Sequence, residues 1–279
     1  MKTIFKITAI IILITTFSCQ DVVDVDLETS KERLVIEALI NWEESTLGNE
    51  QTIKLSKTSS FFNNEDFPIN NATVVVKNTD TNEEFEFILT ENGLYKTTNF
   101  VAIENANYEL TVNYNSEVYK ANSALLVSPI IADITQSIEE GFSTEDPEVN
   151  IFFQDFINQE DFYRIVFNVD RIDNEEEDDI INDSFIFNDS FSEDNLIDLF
   201  YEDEYFQTND EITMTLSKIT EQFFDYLDKL ELQADSGIGP FASPPINVKG
   251  NILNTTEEEN YPYGYFSLNK IDTEVYVFE

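Results

Sequence analysis

The sequence predicts a mainly β protein, with an N-terminal immunoglobulin-like β-sandwich followed by a second antiparallel β-rich domain carrying one amphipathic helix. Three observations point there. Short runs that alternate apolar and polar residues recur along the chain, separated by Asn, Gly and Ser turns. Phe (24) and Tyr (12) are abundant while Gly and Pro number 7 each, which suits aromatic-rich strands and excludes collagen-like or low-complexity chains. Apolar residues fall convincingly at helical spacing once, near residues 217–233.

The chain opens with a leader, residues 1–18. Lys2 and Lys6 form a basic head, Ile7 to Phe17 is almost unbroken apolar sequence, and small Ser18 precedes Cys19. The apolar run is about half the roughly 20 residues that a spanning helix needs, so it reads as a secretory signal. Cys19 is the only cysteine. In Thr16-Phe17-Ser18-Cys19 it is placed for lipid attachment after cleavage, although the usual Leu three positions earlier is absent. Acyl chains contribute roughly 0.8 kcal/mol per buried methylene, and two already anchor stably. Gln20, Asp21, Asp24 and Asp26 then form an acidic tether, residues 19–30, that also suits an export signal to the outer membrane's outer face.

The first domain is expected over 31–127. Leu34, Ile36, Ala38 and Ile40 share one face of a strand, and Ala72–Lys77 is a second, β-branched run. Phe85, Phe87 and Leu89 alternate up to a turn at Glu91-Asn92-Gly93. Tyr108–Tyr114 alternates again and turns at Asn115-Ser116 into Glu117–Ala121; Tyr108 reads either as a tyrosine corner or as an ordinary half-buried strand tyrosine. Val127-Ser128-Pro129 interrupts the pattern and marks the junction.

The second domain is expected over 128–279. Val149–Asp155 and Phe162–Val169 read as strands joined by a polar hairpin loop, Ile157–Asp161. The acidic run Asp173–Asp179, with Asp183 and Asp189 beyond it, reads as a solvated loop, with a calcium site as the alternative. Leu216, Ile219, Phe223, Leu227 and Leu230 define a helix from Met214 to Gln233, with Ser217 as its cap. Tyr263–Ser267 and Glu274–Phe278 read as two closing strands.

Composition excludes several functions. Acidic residues outnumber basic ones 56 to 15, a net charge of −41 that repels phosphate backbones and makes nucleic acid an unsuitable partner. There is no histidine, and with Cys19 lipidated no thiol remains, which excludes His-dependent triads, His-ligated zinc and thiolate metal sites. No catalytic, cofactor-binding or metal-binding residue can be named. Carboxylate chemistry survives as an alternative, a glycan-active enzyme using Asp or Glu near Tyr201, Tyr205 and Phe206. A calcium-stabilised adhesive surface domain is a second alternative.

The order of motifs resembles a family of uncharacterised Bacteroidetes lipoproteins. The shared pieces are Cys19 followed by Val22–Leu27, Leu34–Glu37, Gly93-Leu94-Tyr95, Phe162-Tyr163-Arg164, and Pro244–Asn251 with Gly264–Ser267. That family is a domain of unknown function. The resemblance implies an outer-membrane lipoprotein, often encoded beside TonB-dependent receptors, and supplies no catalytic residue. The expectation is a non-enzymatic, lipid-anchored accessory protein, facing the cell exterior, that captures a ligand for a TonB-dependent transporter.

Overall fold

The computed structural model describes residues 31–59, 67–138, 146–156, 160–171, 181–191, 195–235 and 248–279. Eight strands occupy the first half: β1 (Leu34–Glu43), β2 (Gln51–Lys57), β3 (Phe67–Pro68), β4 (Thr73–Asn78), β5 (Glu84–Glu91), β6 (Leu94–Thr97), β7 (Asn107–Tyr114) and β8 (Glu117–Val127). Six more follow: β9 (Ile131–Ser137), β10 (Glu148–Gln154), β11 (Phe162–Asp170), β12 (Ile181–Asn188), β13 (Leu196–Glu202) and β14 (Glu211–Ile219). The helix α1 (Glu221–Asp235), the short β15 (Leu253–Asn254) and the long β16 (Tyr263–Val277) complete the chain.

The first-half strands do not form an open sandwich, as the sequence suggested. They run β16-β1-β2-β6-β5-β4-β7-β8, and β8 pairs back onto β16, so eight strands close on themselves. The closing strand comes from the far end of the chain. Tyr263–Ile271 pairs parallel with Val35–Glu43, and Leu268–Lys270 pairs parallel with Leu125–Val127. Pairings between positions some 230 residues apart leave no mark in local periodicity, so the sequence alone showed a sandwich. Inside the circuit, Ile36, Ile40, Ile53, Val74, Tyr108 and Phe266 belong to one buried cluster.

The turns obey the expected chemistry. Asn92 and Gly93 have φ of 43° and 74°, and Asn115 and Ser116 have φ of 50° and 67°. Positive φ at both central residues gives the primed turns whose twist suits two-residue hairpins. The tyrosine corner is present: the Tyr108 hydroxyl donates to the Val101 carbonyl (3.0 Å) and accepts from the Ile103 amide (2.9 Å).

Beyond Ser128, two sheets face each other. One is β12-β11-β14 continued by the C-terminal part of β16; the other is β13-β10-β9. Val149, Ile151, Phe153, Ile165, Phe167 and Met214 fill the space between them. β10 and β11 lie in different sheets and do not pair as the expected hairpin; residues 157–159 of its loop lie outside the described residues.

Two further expectations are corrected. Met214–Ile219 is strand, and the helix begins only at Glu221. Its cap is Thr220, whose hydroxyl accepts from the Phe223 amide (3.1 Å), not Ser217. Leu216 and Ile219 fall at helical spacing from Phe223, yet in β14 they turn to opposite faces, Leu216 into the core between the sheets and Ile219 into a cluster with Phe223 and Tyr265. The two closing strands are one, because β16 runs unbroken for 15 residues. Asn269, Lys270 and Asp272 broke the apolar pattern where the strand passes from one sheet to the other.

The start of β16, beside β1, needs close backbone approach. Gly264 has φ of +101°, and a Cβ there would lie 2.0 Å from the Ile36 carbonyl oxygen. A Cβ on Gly250 would lie 1.7 Å from the Gly264 oxygen, so β16 is hemmed in on both sides. Gly264→Ala is expected to cost at least about 2 kcal/mol in urea unfolding, from strain and clash together. A loss under half that figure would show that β16 can shift without penalty. Tyr108→Phe is expected to cost about 1–2 kcal/mol in the same assay by stranding two backbone groups. An unchanged midpoint would remove the corner from the list of stabilising contacts.

Candidate functional site

The site is built where β16 leaves the closed circuit. Ser128, just past β8, donates its amide to the Lys270 carbonyl (3.0 Å), while its hydroxyl accepts from the Lys218 amide on β14 (2.8 Å). Asn269 is satisfied with its amide nitrogen toward the Lys218 and Leu268 carbonyls, at 2.8 and 3.1 Å. Asp272 accepts from the Ile131 amide (2.7 Å). These polar residues hold the ends of β8, β14 and β16 together where no apolar packing is continuous.

A cleft of about 340 Å³ opens beside this joint, lined by Glu104, Asn105, Leu126, Val127, Phe156 and Lys218. Its volume falls at the small end of ligand pockets, and such pockets often form where two modules meet. Leu126, Val127 and Phe156 give apolar walls. Lys218 Nζ lies 2.6 Å from Asp161 Oδ1 and 4.5 Å from the Phe156 ring centre. At the other rim Glu104 pairs with Lys270 (2.6 Å), which also meets Glu44 (3.0 Å) and lies 5.0 Å from the Trp42 ring. Each charge in the lining is thus neutralised, and the arrangement offers shape and a few polar anchors to a small ligand.

Behind Lys218 lies a buried network. The Tyr163 hydroxyl donates to Asp155 and lies 3.5 Å from Asp161, and both carboxylates are almost fully buried. The Phe156 amide also donates to Asp155 (2.7 Å), which fixes the backbone that presents the Phe156 ring. Burial pushes the Asp155 carboxyl above the usual carboxylate range, with nearby Asp189 adding to the rise. Burial likewise pushes the Tyr163 phenol far above its ordinary value, reinforced by Asp155. The tyrosine therefore stays a donor at all ordinary pH.

Cys19, Gln20, Asp21, Asp24 and Asp26 lie outside the described residues, as does the acidic run Asp173–Asp179. Asp183 accepts from the Tyr201 hydroxyl (2.6 Å). Among the described residues no three acidic or thiol side chains converge as metal ligands. Of the aromatics considered for glycan contact, Tyr201 is buried and stacked on Phe167 at 4.3 Å, and Phe206 is buried and stacked on Phe278 at 5.3 Å. Tyr205 is exposed, with Arg171 5.5 Å from its ring centre. Lys218 was missed in the sequence because it fell inside the helix read over Met214–Gln233, and Glu104 and Asn105 belong to no motif. The proline after Ser128 was the available signal.

Residues 20–274 match the family described as Domain of unknown function (DUF4249). No curated protein matches the chain. Among solved structures, the FN1-FN3 domains of chicken CNTN1 share 13% identity over 66% of this chain and 57% of theirs, with a TM-score of 0.26. A DUF4785 family protein from Legionella pneumophila shares 9% identity over 68% of this chain and 54% of its own, at a TM-score of 0.27. The chicken interferon gamma receptor alpha chain shares 8% identity over 67% of this chain and 87% of its own, at 0.21. The chain thus spans little more than half the length of the first two.

The raised Asp155 pKa has a signed consequence. A carboxyl whose folded pKa exceeds its unfolded value stabilises the fold below the unfolded pKa, and that contribution is lost as pH rises through the folded pKa. The stability advantage of the wild type over Asp155→Asn is therefore expected to be largest below about pH 4 and to shrink toward neutrality. Urea unfolding of both proteins across pH checks this. An advantage that grows with pH would mean that Asp155 is held as the charged form.

Proposed function

Because the chain belongs to this family of unknown function, whose match begins one residue after Cys19, we propose that it is a lipid-anchored accessory protein of the outer membrane. In this reading it is not an enzyme. It captures a small ligand in the cleft between its modules and presents it to a TonB-dependent transporter, and it faces the cell exterior on its acidic tether. The observation that carries capture is the cleft itself, a small cavity with apolar walls and neutralised polar rims at a joint between modules. Three things support the anchor: the basic-apolar leader, the single cysteine directly after Ser18, and the start of the shared family region at Gln20. Residues 20–31 can extend about 40 Å at roughly 3.3 Å each, enough to lift the first strand clear of lipid headgroups. Anchoring would also raise the effective concentration of the ligand site near a membrane partner.

The protein carrying Cys19 is expected to fractionate with outer membranes and to bear acyl mass on that residue. Cys19→Ala is expected to leave the membrane fraction and to lose the transporter that co-purifies with the wild type after gentle solubilisation. Mass spectrometry of both preparations reads the result. An unacylated Cys19 would sink the anchor, and an acylated protein recovered without a transporter would sink the accessory role alone.

A further inference from the structure

Lys218 and Asp161 are placed to do more than attract each other. Lys218 Nζ lies 2.6 Å from Asp161 Oδ1, with only 15% and 7% of the two side chains exposed. Among the described residues, the other lysine–carboxylate pairs all have a carboxylate at least 29% exposed. Strand register sets Tyr163 opposite Lys218, and Asp161, two residues before Tyr163, lies on the same side. The surroundings are aromatic. The Phe156 ring centre is 4.5 Å from Lys218 Nζ, and Phe153 and Phe187 flank Tyr163 at 5.4 and 5.5 Å.

A buried ion pair bears the desolvation cost of both its charges. Condensation of the pair to an amide removes the two charges at once, and a site closed to water protects the amide from hydrolysis. The Asp161 carboxyl carbon is one C–O bond beyond Oδ1, so it lies within about 3.8 Å of the lysine nitrogen, close to attack distance. The chain has one cysteine, Cys19, so no disulfide can form within it. A covalent brace between its strands has to come from another chemistry.

We propose that Lys218 and Asp161 condense to an intramolecular amide that ties β14 to the start of β11. The ammonium passes one proton to Oδ1, and the resulting amine attacks the carboxyl carbon. As the C–N bond forms, negative charge builds on Oδ2, and the Tyr163 hydroxyl lies 3.5 Å from that oxygen as its donor. The nitrogen then gives a second proton to Oδ1, the C–Oδ1 bond breaks, and that oxygen leaves as water. Oδ2 becomes the amide carbonyl, and one hydrogen stays on the nitrogen. Asp155 is a positioning residue. Burial raises its pKa, and in its acid form it donates to the phenol oxygen, which turns the Tyr163 hydrogen toward Oδ2. Neither ligand capture nor the lipid anchor enters this chemistry.

Mass spectrometry of the folded full-length protein, denatured and digested with trypsin, tests the proposal. The expected species is peptide 121–164 joined to 172–229, lighter by one water than the two together and uncut after Lys218. Lys218→Arg keeps an ion pair but offers no amine, and is expected to release 121–164 as a free peptide. Tyr163→Phe keeps the ring and is expected to form the link about a hundredfold more slowly, read as the linked fraction during a time course of cell-free synthesis. Asp155→Ala is expected to slow it likewise, and Asp155→Asn, whose amide still donates to the phenol oxygen, to restore it. Free peptides 121–164 and 172–218 from the folded wild type overturn the proposal, as does loss of one water in Lys218→Arg.

Discussion

One strand holds this protein together. Tyr263–Ile271 closes the eight-stranded circuit against β1, and Asp272–Val277 continues into the second sheet against β14. Phe266 and Leu268 belong to the first buried cluster, while Tyr276 packs against the second. Neither half can lose this strand without opening its own core, so the two hydrophobic clusters are coupled through one stretch of backbone. The constraint extends to folding. The circuit closes only when the last strand finds the first, and pairings of such sequence separation are paid for in loop entropy before any contact rewards them.

The handover from one sheet to the other explains the chemistry of the joint. A strand that leaves one core for another has a stretch that faces neither, and its side chains must be satisfied by polar partners. Asn269, Lys270 and Asp272 are those side chains, and their partners are the Lys218 carbonyl, the Glu44 and Glu104 carboxylates, and the Ile131 amide. The nearby Lys218–Asp161 pair is largely buried. Such pairs seldom add much net stability, and losing one partner leaves a charge stranded. At this joint the pair fixes how β14 and the Asp161 backbone meet. The cleft is what remains beside it, where two modules are pinned by hydrogen bonds and not by continuous apolar packing.

Much of this was legible in the residues. Alternation at Leu34–Ile40 and Tyr108–Tyr114 placed strands because half-buried strands expose every second side chain. Asn92-Gly93 and Asn115-Ser116 placed turns because those residues tolerate positive φ. Tyr108 at the head of a late strand fitted either a corner or an ordinary half-buried strand tyrosine, and only its hydrogen bonds to Val101 and Ile103 decide for the corner. The closure was not legible, since parallel pairing across the whole chain has no local signature. The helix start was misplaced because Leu216 and Ile219 continue the helical spacing of Phe223 back into β14, where they turn to opposite faces, and only the pairing of β14 with β11 shows the strand. The cleft was missed for the same reason, because Lys218 was assigned to the wrong element.

The overall charge bears on what the proposed ligand cleft can admit. A net charge of −41 makes a field that repels anions at long range, yet salt screens that field over about 8 Å at physiological ionic strength. What a small anion meets at contact is therefore set by the residues within that distance. At the cleft those residues are apolar walls and charges already paired, Lys218 with Asp161 and Glu104 with Lys270. A polyanion must bring many charges close to the acidic surface at once, and its repulsion grows with each. A monoanion brings one, and that one can be matched. In the proposed reading the acidic surface rejects polyanions, while the cleft, its charges already paired, admits a small neutral or singly charged ligand.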